Sequence, residues 1–332
     1  MQIGLWGCGT MGNSLAQGLM STDLARIPVV YDVLPEAAKA AAEEYGAQTV
    51  DSSEALLSHA GLDGVIVALP GYLHAPAVIQ AAEAGVDVFV EKPMALDAAT
   101  CRRMIAAAQE GGIQLMVGQV LRYYEPYRSI LRWLAEGRFG NVFAASMWRV
   151  ASSERVGGTY WRAKRAQSGG YLLEVGAHEL DMLRCLLGRP ETVHALSRKV
   201  LPRQNELLDY IAVQVRFAEG GAATYESGGG SRIPQYGFRF YFEGATLASD
   251  SAFDPKALQV YEDGRQEVSI AEDEFSTEHG VATEMRLWVT ALRDGTAMPI
   301  PGEEGLATVA LAEAAYRSAE MGVPVVYEVE SE

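Results

Sequence analysis

At 332 residues, 49% hydrophobic and 21% charged, the chain has length for two cores and the composition of an ordinary soluble globular protein. Its formal net charge of −16 argues against nucleic acid or an anionic membrane face as a partner, since both would repel it. No apolar run is long enough to span a bilayer, and three cysteines (Cys8, Cys101, Cys185) in no metal-like spacing read as reduced structural thiols.

The opening "MQIGLWGCG" runs directly into a strand with no charged leader, which predicts a cytoplasmic protein. Strand-like segments follow in order: "QIGLWG", "IPVVYD", "AQTV", "GVIVAL", "VDVFVE" and "IQLMVG". Between them lie helical stretches such as "PEAAKAAAEEYG" and "APAVIQAAEAG", each ended by a glycine suited to a helix C-cap. Nearly all-apolar strands alternating with helices predict a buried parallel sheet covered on both faces. After about residue 120 the pattern changes. One more helix, "PYRSILRWLAEGRFG", precedes alternating strands in "YIAVQVRFAEGGAATYES" and "GFRFYFEG". A hairpin is expected in "LQVYEDGRQEVSI", turning on Asp263-Gly264, and helices close the chain in "TEMRLWVTALRDG" and "EEGLATVALAEAAYRSAEMG". The expected fold is α/β: a dinucleotide-binding domain over residues 1–120, then an α+β domain over 121–332 with a large, mainly antiparallel open-faced sheet.

The first constellation is "GCGTMG", comprising Gly7, Gly9, Thr10, Met11 and Gly12. It follows a strand, opens a helix, and is followed by Asp32 at the end of the second strand; that context makes it a dinucleotide site. Gly7 permits the tight turn, Gly9 lets main-chain N–H groups approach a pyrophosphate, and Gly12 permits close helix–strand packing. Asp32 would accept from the ribose hydroxyls and repel a 2′-phosphate, and the following "VLPE" offers no cation; this favours NAD over NADP. The alternative reading of Asp32 is a cap on the helix that starts near Pro35.

"VEKP" places Lys92 at the end of the fifth strand, where doubly wound sheets bind ligands. An ammonium there can stabilise an alkoxide; the other reading is a solvated lysine paired with Glu91. In "GGYLLEVGAHELD", His178 stands between Glu174 and Asp181 at helical spacing, either a base oriented by carboxylates or a helix with surface charges.

These motifs, in this order, resemble the glucose–fructose oxidoreductase / inositol dehydrogenase / rhizopine-catabolism (Gfo/Idh/MocA) family across essentially the whole chain. The resemblance also runs through Pro70 with His74, "GRFGNV" at Gly137–Val142 and the closing "AYRSAEMGVPV". It implies a Rossmann domain, an antiparallel sheet often buried in a homodimer or homotetramer, a nicotinamide cofactor, and redox chemistry on a sugar or cyclitol carbon. Lys92 and His178 fall on the family's catalytic positions, and Glu174 stands where the family usually has aspartate. Cofactor contacts are expected at the glycine turn, Asp32, Leu69, Pro70, His74, Glu91, Lys92 and Gln119.

Pro70 and His74 would line the nicotinamide pocket, although a histidine at a helix start also serves as a cap or a solvent-facing group. Substrate contacts are expected from Lys92, Arg122, Tyr123, Trp161, Arg162, Glu174 and His178. "TYWRAKRAQ" could recognise an anionic substrate group through Arg162, Lys164 and Arg165, or form a solvated loop. His59, His194 and His279 have no companion ligands, so no metal is assigned. The expected function is NAD-dependent oxidation of a secondary alcohol on a sugar, cyclitol or polyol. The rivals are an NAD-retaining glycoside hydrolase and a non-catalytic NAD-responsive regulator.

Overall fold

A computed structural model describes residues 1–152, 161–201, 205–262, 266–267 and 270–329, the side chains of 152, 266 and 267 excepted. The chain divides into two compact units. The first comprises Met1–Val120 and Glu278–Leu306; the second comprises Leu121–Thr277 and Ala307–Glu332. This differs from a single cut at 120/121, because a late segment returns to the first unit.

The elements of Met1–Val120 are β1 (Ile3–Trp6), α1 (Thr10–Met20), β2 (Val29–Tyr31), α2 (Pro35–Tyr45), β3 (Gln48–Thr49), α3 (Ser53–Leu57), β4 (Gly64–Val67), α4 (His74–Glu83), β5 (Asp87–Val90), α5 (Ala98–Gly111) and β6 (Leu115–Val117). The six strands, all parallel, lie in the order β3-β2-β1-β4-β5-β6. Each strand expected from the first third of the sequence is present. β1, β4 and β6 are fully buried along their lengths, as a sheet covered on both faces requires. The predicted glycine stop of α2 is Gly46, at φ +67°.

Leu121–Thr277 contributes α6 (Tyr127–Ala135), β7 (Val142–Ser152), α7 (Arg165–Ser168), α8 (Tyr171–Glu174), α9 (Ala177–Leu187), β8 (Pro190–Arg198), β9 (Tyr210–Phe217), β10 (Ala222–Gly228), β11 (Gly230–Phe242), β12 (Ala245–Ser249), β13 (Gln259–Glu262) and β14 (Gln266–Glu267). α10 (Gly280–Asp294), α11 (Gly302–Met321) and β15 (Val325–Val326) complete the chain, the unit boundary falling within α11. Nine strands form the second sheet, β14-β13-β12-β11-β7-β10-β9-β8-β15, antiparallel except for the β7–β10 pair. β13 and β14 pair as the expected hairpin; its turn, Asp263-Gly264, lies outside the described residues.

α10 returns to the first unit for a packing reason. Trp288 is fully buried, 5.5 Å from Phe89 of β5 between ring centroids. A Cβ added at Gly18 of α1 would stand 2.7 Å from Val281, so α1 and α10 meet where α1 has no side chain. The Val117 N–H donates to Ile300 O at 2.9 Å, extending the edge of β6. In the second unit, Phe238, Phe240 and Phe242 all face the covered side of the sheet, and Tyr127 of α6 packs on Phe238 at 5.2 Å. The opposite face is mixed, with Phe143 and Tyr241 paired at 6.1 Å between ring centroids. It presents Ser146, His194, Gln214, Arg216 and Thr224, with Leu196 and Phe143 more than half exposed.

Candidate active site

The cofactor turn follows from three glycines with different duties. Gly7 has φ +100°, and a Cβ there would stand 2.4 Å from Ala68 O. A Cβ at Gly12 would stand 1.9 Å from Gly7 O, so α1 can approach β1 only because that atom is missing. A Cβ at Gly9 would meet nothing within 4 Å. Gly9 is thus not required by the protein's own packing; it keeps open space before the N-terminus of α1, where a diphosphate would be held by main-chain N–H groups and the helix dipole. Thr10 and Met11, the first residues of α1, are exposed there.

Asp32, just after β2, accepts from the Cys8 N–H through Oδ2 at 2.7 Å and from the Leu34 N–H through Oδ1 at 2.8 Å. Its side chain does not cap α2, whose N-cap is Leu34. A carboxylate has about four acceptor sites, so two remain for ribose hydroxyls. The two residues that follow it, Val33 and Leu34, are 78% and 65% exposed and supply no cation for a 2′-phosphate. The orphan geometry of Gly9 and this carboxylate together fit NAD. The neighbouring Cys8 thiol is pushed up to about 12, mainly by burial and also by Asp32, so it is not a nucleophile.

Leu69 and Pro70 lie past the end of β4, Glu91 and Lys92 past β5, and Gln119 past β6, all on the carboxyl edge of the parallel sheet. Glu91 is buried and accepts from the Lys92 N–H at 2.9 Å, and the Lys92–Pro93 peptide is cis. Lys92 is half-buried. Gln119 is buried, and its Oε1 has no hydrogen-bond partner, an acceptor suited to an amide donor such as a carboxamide. His74 does not line this edge with a free nitrogen. It is buried, with Nδ1 2.8 Å from Pro93 O and Nε2 2.7 Å from Leu69 O.

In the second unit the stretch around His178 is not one helix. α8 ends at Glu174, and α9 starts at Ala177 after the Val175-Gly176 turn. A Cβ at Gly176 would stand 3.0 Å from Leu172 O and from the Tyr225 ring, which explains a glycine at the break. Glu174 and His178 therefore belong to successive helices rather than to one face.

Each acid of the segment has an arginine from a different element. Glu174 pairs with Arg162 at 2.7 Å. Asp181, with no exposed surface, accepts from both Nε and Nη2 of Arg122, at 2.7 and 2.6 Å, and from Thr308 at 3.2 Å. Glu179, also fully buried, pairs with Arg149 at 3.2 Å and accepts from the Tyr225 hydroxyl at 3.0 Å. Burial pushes Tyr225 up first, and the Glu179 charge adds to it. Each of the three carboxylates thus has an arginine partner, with Arg184 a fourth guanidinium 3.5 Å from Asp181, and half-buried His178 stands at the start of α9.

Arg122 is thereby engaged by Asp181 in a structural pair. Tyr123, beside it, is half-buried. The Arg162 guanidinium lies 5.0 Å from the Trp161 ring centroid, and Arg165 pairs with Glu320 at 3.0 Å. Two of the three cations in "RAKR" are thus neutralised within the chain. Thr159 and Tyr160 lie outside the described residues. Arg149 and Glu179 were missed in the sequence. Glu179 directly follows His178, but nothing local marks a partner thirty residues earlier.

A β3-β2-β1-β4-β5-β6 sheet with a glycine turn after β1, an acid after β2 and a lysine after β5 defines a dinucleotide-binding protein of the Rossmann class. The chain belongs to the Gfo/Idh/MocA oxidoreductase family. Residues 1–119 match its NAD-binding Rossmann fold and residues 132–326 its C-terminal alpha/beta domain. Inositol 2-dehydrogenase of Rhizobium meliloti is 30% identical, over 96% of each chain. An uncharacterized oxidoreductase of Streptococcus pneumoniae is 36% identical over 58% of this chain and 52% of its own. 2,7-anhydro-N-acetylneuraminate hydratase of Escherichia coli is 32% identical over 71% of this chain. The match spans about half of the first of these two and 64% of the second. Levoglucosan dehydrogenase in complex with NADH has the same fold at a TM-score of 0.89 and 20% identity, over 99% of each chain. The WlbA dehydrogenase from Bordetella pertussis, at 0.86 and 24%, covers 99% of this chain and 98% of its own. No helix among the described residues is long and apolar enough to cross a membrane.

Proposed function

We propose that the protein is an NAD-dependent dehydrogenase acting on a secondary alcohol of an uncharged sugar, cyclitol or related polyol. The observation that carries this reading is Lys92, half-buried at the carboxyl end of β5 on the sheet edge that also bears the glycine turn and Asp32. Bound there, nicotinamide supplies the acceptor for the alcohol's hydrogen. The Lys92 ammonium stabilises the charge that develops on the substrate oxygen. His178, at the start of α9, takes the hydroxyl proton. The neutralised state of Arg122, Arg149, Arg162 and Arg165 favours an uncharged substrate over a sugar acid or phosphate.

A screen of sugars, cyclitols and sugar acids followed by NADH absorbance tests the reading. With the active compound, Lys92→Ala and His178→Ala should each lower kcat by roughly a hundredfold, with NAD affinity little changed. Near-normal turnover by a folded His178→Ala would remove that residue from the mechanism. Product formed without net NADH would replace the dehydrogenase by transient oxidation with elimination. The exposed face of the nine-stranded sheet is the proposed surface for a homodimer or homotetramer. Light scattering at micromolar concentration should give a multiple of 35.8 kDa, and a monomer would refute it.

A further inference from the structure

We propose that His74 is a positioning residue for Lys92: its imidazole staples the loop after β4 to the turn after β5 and so fixes the main chain that carries the lysine. The proposal rests on the role given to Lys92 above, while its test reads the lysine's placement whether or not that role holds. His74 is the first residue of α4 and is 1% exposed. A histidine that serves a ligand keeps one ring nitrogen for it; here both nitrogens face main-chain carbonyls. Nε2 lies 2.7 Å from Leu69 O, on the loop after β4. Nδ1 lies 2.8 Å from the carbonyl of Pro93, the residue joined to Lys92.

A carbonyl oxygen only accepts, so each nitrogen holds its carbonyl by a hydrogen bond only when it carries a proton. A neutral ring donates to one carbonyl only, whereas an imidazolium donates to both. Burial holds the ring below its ordinary pKa, the two carbonyls pull it upward, and the nearby Lys92 charge opposes protonation. Burial is the largest of these influences.

Two further contacts extend the connection. A Cβ added at Gly71 would stand 3.4 Å from Pro93 Cγ and 3.2 Å from Leu96, so the two loops touch directly beside the imidazole. A Cβ added at Gly7 would stand 3.1 Å from Leu69 Cδ2, so the same loop abuts the cofactor turn. Gly7, Leu69, His74, Pro93 and Lys92 thus form one series, closed on the far side by the bond from the Lys92 N–H to Glu91. An ammonium on a flexible four-carbon stem is aimed only as well as its main chain is held, and a displacement of about 1 Å is enough to impair positioning.

The chain has five lysines, so reductive methylation with ¹³C-formaldehyde gives few signals, and the one lost in Lys92→Arg is Lys92. His74→Phe keeps a ring of similar size and removes every hydrogen bond the imidazole makes to the two loops. In the full-length protein its Lys92 signal should shift or broaden while the other lysine signals hold. His74→Gln, which retains an amide donor, should return the signal toward its wild-type position. An unmoved Lys92 signal in His74→Phe with wild-type circular dichroism would overturn the proposal. Should His74→Phe not fold, His74→Asn is read the same way, since it donates on a stem too short to reach both loops. A shifted Lys92 signal in His74→Phe alongside full activity in Lys92→Ala would instead sink the catalytic reading and leave the staple standing.

Discussion

The two units build their working parts from different materials. In the first, the parts are main-chain groups: glycines whose missing Cβ atoms leave room, amide N–H groups on Asp32, and an imidazole between two carbonyls. In the second, α8 and α9 are held by three arginine–carboxylate pairs, two of them with carboxylates that have no exposed surface. Devices of the first kind fail when an atom is added. Those of the second kind fail when a partner is removed, because the remaining buried charge loses its compensation.

Removing Arg122 is the strongest way to break this contrast. Arg122→Ala leaves Asp181 buried with Arg184 at 3.5 Å, Thr308 at 3.2 Å and the Cys185 thiol at 4.0 Å beside it. Breaking a buried pair from one side costs about 3–5 kcal/mol, and urea denaturation should show a loss of that size. Replacing both partners by apolar residues of similar volume, as Arg122→Met with Asp181→Leu, should restore most of it. A loss within about 1 kcal/mol for Arg122→Ala would show that the pair does not hold α9 in place.

Adding one methyl group tests the first unit. Gly12→Ala drives a Cβ to within 1.9 Å of Gly7 O and should cost roughly 1–3 kcal/mol as the helix is forced away from the strand. Gly9→Ala meets nothing in the protein, so its stability should stay within about 0.5 kcal/mol of wild type. Its NADH affinity should fall by about tenfold, because the methyl group occupies space for the diphosphate. Thermal melts with and without NADH distinguish the two. Equal destabilisation by both substitutions would remove the distinction between a packing glycine and a ligand glycine.

The smallest expected effect concerns Asp32. Asp32→Ala should narrow the preference of kcat/KM for NAD over NADP by about tenfold, the scale of hydrogen bonds to a charged group. The Leu34 and Cys8 N–H groups would then be left to water. Equal turnover of both cofactors by the wild type would sink the assignment.

Much of the first unit was legible in the residues. The six strands, the glycine turn after β1 and the place of Lys92 at the end of β5 all follow from local pattern. That α10 belongs with the first unit was not legible, because its periodicity describes a helix and not the sheet on which Trp288 packs. Reading "GGYLLEVGAHELD" as a single helix missed its break, since Gly176 is tolerated inside helical patterns and only Leu172 and Tyr225 show why it is needed. The expectation that His74 lines the cofactor pocket read a helix start correctly and its direction not at all.

By itself the sequence determined what short range controls: which segments become strands and helices, where a turn needs glycine, and where a dinucleotide phosphate would meet a helix. Only the tertiary structure decided which charges are available. Asp181 finds Arg122 across 59 residues and Glu179 finds Arg149 across 30, and no periodicity spans such distances. The same is true of the sheet, where β7 runs parallel to β10 from far along the chain and Phe238, Phe240 and Phe242 turn to the covered face. Side-chain alternation states that a strand has two faces. Which face meets helices is settled by the packing of the whole unit, because burial is a property of neighbours that the local chain does not contain.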